Sequence, residues 1–131
     1  MGVAFCVVFK KDVPPHGKLG GDNMALAKGY EKLDAVAEKK GLRTLGSFLS
    51  QDPQELADIM DMDVAEMGLP PEEWFSASDG LAAVQTLIAH LRANPKAIAK
   101  AKETLADLKE VEAELTAAVR GKVKFHFALV P

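Results

Sequence analysis

Side chains with chemistry to offer are few and scattered in this sequence: three histidines (His16, His90 and His126), a single cysteine (Cys6), and a dense run of acids between residues 52 and 79. No two histidines have the H-x-x-x-H spacing that sets two imidazoles on one helical turn around a metal, so no metal site is expected. Asp58, Asp61, Asp63 and Glu66 resemble a calcium loop in composition only. Counting from Asp61, the sixth position is Glu66, where such a loop needs glycine. Cys6 would need access and a lowered pKa to act as a nucleophile. It lies inside the apolar run VAFCVVF and reads as a buried structural thiol. Serine offers no G-x-S-x-G elbow. These residues assign no catalytic group and imply no cofactor.

Two further features remain. The loop His16-Gly17-Lys18-Leu19-Gly20-Gly21 falls between a strand and a helix, where backbone amides can cradle a phosphate. It matches neither G-x-x-x-x-G-K-[ST] nor G-x-G-x-x-G, and Asp22 sets a negative charge where the phosphate would sit. Glu112 falls in heptad step with Ile98, Leu105 and Val119, inside the apolar stripe of the last helix. A carboxylate there must reach the rim, pair with a base, or shift its pKa upward. Lys124 or His126 could supply the partner. Lys18, Glu112 and His126 therefore form a candidate ligand pocket near the Gly-rich loop and the C-terminal strand, for a small enzyme or ligand-binding protein.

Charge favours a different reading. Between residues 44 and 91 there are nine acids and no Lys or Arg, while each flanking segment holds eight basic and five acidic residues. That distribution argues against nucleic-acid or anionic-membrane binding through the middle of the chain. The same stretch carries Met60, Met62 and Met67, a Pro70-Pro71 break and the lone Trp74. Methionine makes adaptable apolar surface, and tryptophan is a common interface anchor. Asp58, Asp61, Met62, Asp63, Glu66, Met67 and Trp74 are thus the expected contact surface of a non-enzymatic protein-binding module with a basic protein partner. The doubly apolar first strand also permits a homodimer through sheet or helix contacts.

The elements that position these residues follow from periodicity. Val3–Lys10 is apolar on both alternating faces and reads as a covered strand. Lys11–Gly21 reads as a loop, and a helix follows from Asp22 or Asn23 to about Lys40, with Leu26, Tyr30, Leu33 and Ala37 on one stripe. Leu42–Ser50 is either a short third strand or a helical turn. Asp52-Pro53 opens a short helix that frays near Met60, and Val64–Trp74 reads as irregular. Ser76 with Asp79 makes a capping box for a helix to about Ala93. Asn94-Pro95 then starts the longest helix, running to about Arg120 with almost no linker, so the two should form an antiparallel hairpin. Val123, Phe125, Phe127 and Leu129 alternate with polar residues as a closing strand.

The expected fold is α+β: a single domain over residues 1–131, with N- and C-terminal strands paired in a small sheet of two to three strands. About four helices, including the long hairpin, pack on it. The N-terminal run lacks the basic flank and cleavage site of a leader. The lone cysteine fits a reducing compartment, so a cytoplasmic location is expected.

Overall fold

A computed structural model describes residues 3–130. Val3–Lys10 has little polar surface because it supplies the middle of the sheet. Strand β1 (Ala4–Val13) is flanked by β2 (Gly17–Leu19) and β3 (Phe125–Val130), both antiparallel to it. The terminal strands pair in register from Ala4 opposite Val130 to Phe9 opposite Phe125. Phe5, Val7 and Phe9 share a face with Phe125 and Phe127, and all five are buried. The Phe5 and Phe127 rings sit 4.9 Å apart by centroid.

That face receives the helices. Helix α1 (Met24–Lys39) brings Leu26, Leu33 and Ala37 to the core, and Tyr30 meets Phe5 at 5.6 Å. A 3₁₀ turn (Leu45–Phe48) inserts Phe48 between Phe125 and Phe127. Helices α4 (Ala77–Ala93) and α5 (Ala101–Gly121) pack together as the expected hairpin. Gly80 of α4 touches the Phe125 ring so closely that a Cβ there would lie 2.2 Å from a ring carbon. Two small helices complete the chain, α2 (Pro53–Met60) and α3 (Val64–Met67). Helix α2 opens as its sequence demands: Pro53 stands at the first turn, and the Gln54 N–H donates to Asp52 Oδ1 at 3.0 Å.

Several local expectations are corrected. The third strand is Gly17–Leu19, inside the stretch read as a loop: β1 continues to Val13, and Pro14–His16 turns the chain back along it. Proline and glycine there mark a hairpin bend rather than a long loop. Leu42–Ser50 takes the second of its two expected forms, the helical turn, and is joined to β3 by one parallel bridge from Leu49 to Phe127. Helix α5 begins at Ala101, not Pro95. Asn94 caps the preceding helix, its Nδ2 donating to the His90 carbonyl at 3.0 Å. Lys100 then takes φ +54° immediately before α5, so a linker with buried Ile98 separates the two helices. The Ser76–Asp79 box is not made: Ser76 makes no side-chain cap, and Asp79 lies 3.9 Å from Arg43.

The α5 stripe is also rotated from its expected position. Its buried residues are Thr104, Leu108, Val111, Glu114, Leu115 and Ala118, while Val119 is exposed and Glu112 half-buried. The carboxylate that enters the interior is Glu114. No helix among the described residues is long and apolar enough to cross a membrane.

Candidate functional site

Opposite the helical layer, the second face of the sheet presents Ala4, Cys6 and Val8 of β1 beside Val130, Ala128 and His126 of β3. Helix α2 faces part of it across a groove of about 360 Å³. Val8, Ala128 and Val130 form the floor, and Leu56 and Ile59 form the α2 wall. Asp52, Glu55, Leu56 and Ile59 follow i, i+3, i+4, i+7, so one side of α2 offers the groove two acids and two apolar side chains. Leu19 and Leu129 stand at its rim, 51% and 39% exposed, and Ile59 is 65% exposed.

Glu72 and His126 close one part of the wall. His126 is buried, with Nε2 2.6 Å from Glu72 Oε2 and Nδ1 3.0 Å from the Phe127 carbonyl oxygen. Both ring nitrogens thus face oxygen acceptors, which fixes the ring. Trp74 packs on it at 4.7 Å between centroids. The neighbouring Phe75 exchanges two backbone hydrogen bonds with Phe125, at 2.8 and 3.0 Å, tying this segment to the sheet edge.

Of the expected pocket residues, Lys18 and His126 line this groove, whereas Glu112 does not. Of the expected contact surface, Asp58, Asp61, Asp63 and Glu66 are exposed on α2, α3 and the turn between them. Two of these acids also serve structure: Asp58 accepts from Gln54 Nε2 at 2.8 Å, and Asp63 caps α3 through the Ala65 N–H. Met62 is exposed, Met67 and Trp74 are half-buried, and Trp74 packs on His126. Apart from Lys18 and His126, the groove's lining residues were missed by sequence reasoning, Leu19, Ile59, Leu129 and Glu72 among them. They come from separate elements, and no spacing announces that they meet.

The Gly-rich loop serves a different carboxylate. The Gly21 N–H donates to Glu114 Oε2 at 2.8 Å, and a Cβ at Gly20 would lie 2.1 Å from the same oxygen. The Leu26 N–H, in the first turn of α1, donates to Asp107 Oδ2 at 3.0 Å. Two acids of α5, two turns apart, therefore take the amides that a phosphate would need. Burial pushes the Glu114 carboxyl above its ordinary range, with the Gly21 N–H and nearby His16 pulling it partly back. Its Oε1 is buried without a partner among the described residues, as is Asn23 Oδ1. Burial, with Asp22 and Glu114 nearby, pushes the Cys6 thiol up to about 11, which keeps it protonated and unreactive.

No known protein family, curated protein or solved structure matches the chain.

Proposed function

We propose that the chain is a non-enzymatic protein-binding module that meets a basic protein partner through α2, α3 and the acidic turn between them. The observation that carries this reading is the mixing of exposed apolar and acidic side chains on one short stretch. Ile59, Met60 and Met62 are large, apolar and exposed, and they are interspersed with exposed Asp58, Asp61 and Asp63. An apolar patch edged by charge of one sign is what a protein interface needs, and the acids would steer a basic surface toward it. The buried thiol of Cys6 suits the reducing, cytoplasmic location expected from its lone occurrence. A homodimer through sheet pairing would have to use an edge other than β1, since β2 and β3 flank that strand on both sides; helix contacts are the other route.

The test is capture from native lysate with the intact chain and with Asp58→Lys/Asp61→Lys/Asp63→Lys as baits. A partner held at 50 mM salt, released near 500 mM and lost with the reversed chain is the expected result. Recovery of the same partner by both baits would discard the reading. The second reading, a small-ligand site, is favoured by one specific observation: Lys18 and His126 line the same groove.

A further inference from the structure

We propose that the partner is gripped in the groove between α2 and the outer face of the sheet, by a large apolar side chain flanked in its own sequence by Lys or Arg. This rests on the partner-binding reading above and names what that partner must present.

The apolar requirement comes from the rim and floor. Scattered exposed hydrophobes are ordinary on a protein surface, but Leu19, Ile59 and Leu129 are contributed by β2, α2 and β3 and line one opening over Val8, Ala128 and Val130. Filling it removes Leu19, Ile59 and the floor from water together, with Leu129 at the margin. The size requirement comes from the volume. About 360 Å³ lies near the lower end of ligand pockets, room for a side chain or two rather than an extended molecule.

The charge requirement comes from the mouth. Glu72 is engaged with His126 and Asp52 Oδ1 caps α2, but neither Asp52 nor Glu55 forms an ion pair among the described residues. Lys18 is the one Lys or Arg among the groove's lining residues. An occupant bearing cations beside its apolar anchor would complete those two carboxylates, and an anionic one would be repelled. Helix α2 can adjust to the guest, because Ala57 is the only one of its eight residues that is buried.

The probes are three synthetic helical peptides: an amphipathic Leu/Lys sequence, an Ala/Lys sequence of equal charge, and a Leu/Glu sequence. Each is titrated into the ¹⁵N-labelled chain. The Leu/Lys peptide is expected to shift the amides of Leu19, Ile59 and Leu129, and to bind about tenfold or more tighter than Ala/Lys. Leu/Glu is expected not to bind. Leu19→Gln/Ile59→Gln alters only exposed side chains and should keep the fold by circular dichroism while removing that tenfold advantage. Equal binding of Leu/Lys and Ala/Lys, or indifference to the double variant, overturns the groove proposal but leaves the acidic-surface reading standing. Failure of both cationic peptides at low salt overturns both.

Discussion

Glu114 and Gly20 form a lock in which each residue makes sense only beside the other. The carboxylate lies against the glycine backbone, held by the Gly21 N–H, with one oxygen unpartnered among the described residues. Gly20→Ala is expected to cost about 1–3 kcal/mol, because the new methyl meets a side chain that is itself packed in. Glu114→Gln keeps an acceptor for Gly21 and removes the ionisable group from the interior. The pH sign follows from burial raising the folded-state pKa of Glu114 above its unfolded value. The stability this confers is full below the unfolded pKa and is lost as pH rises through the raised folded one. Urea melts at pH 4 and pH 8 should therefore show the glutamine variant gaining on the parent at the higher pH. A residual slope is expected from Asp34, whose carboxyl is also raised by burial against the opposing pull of the Gly46 and Leu45 amides.

Among the elements, the contact of α4 with β3 has no slack. Gly80→Ala would improve intrinsic helix propensity by up to about 1 kcal/mol. The Cβ would meet the Phe125 ring, and Phe125 is fully buried between other aromatics, so overpacking of about 1–3 kcal/mol should win. A lowered thermal midpoint for the alanine variant is the expected measurement. The long elements were readable from sequence because each carries its period over many residues: β1 is apolar on both faces, and α1 has a clean stripe. What went astray was decided by single residues. Asn94-Pro95 looks like a helix start, yet Asn94 turns its side chain back to His90 and ends a helix instead. Glu112 and Glu114 sit on nearly opposite sides of α5, and turning the buried face by roughly a quarter turn from the expected stripe takes the first out and brings the second in. The groove was illegible for a different reason. Its residues are neighbours only after the three strands and α2 have been brought together, and no local pattern encodes that meeting.

At the scale of the whole molecule, the chain divides into a tightly built body and a lightly held arm. Helices α1, α4 and α5 and the sheet share one buried cluster. Helix α3 buries no residue, and α2 buries one. Hydrogen exchange should reflect this: amides of α2 and α3 exchanging by local opening, those of β1 and α5 only by global unfolding. Equal protection in both regions would contradict the division. The sheet carries a consequence of its own. Its central strand is completed by a segment more than a hundred positions away in sequence, with Phe9 opposite Phe125 and Ala4 opposite Val130. A copy cut short before residue 122 would keep its helices yet leave that strand with one flank bare and its aromatic face half covered. Such a fragment is a template for strand-by-strand association with its own kind, so truncation should yield aggregates rather than a weakened monomer.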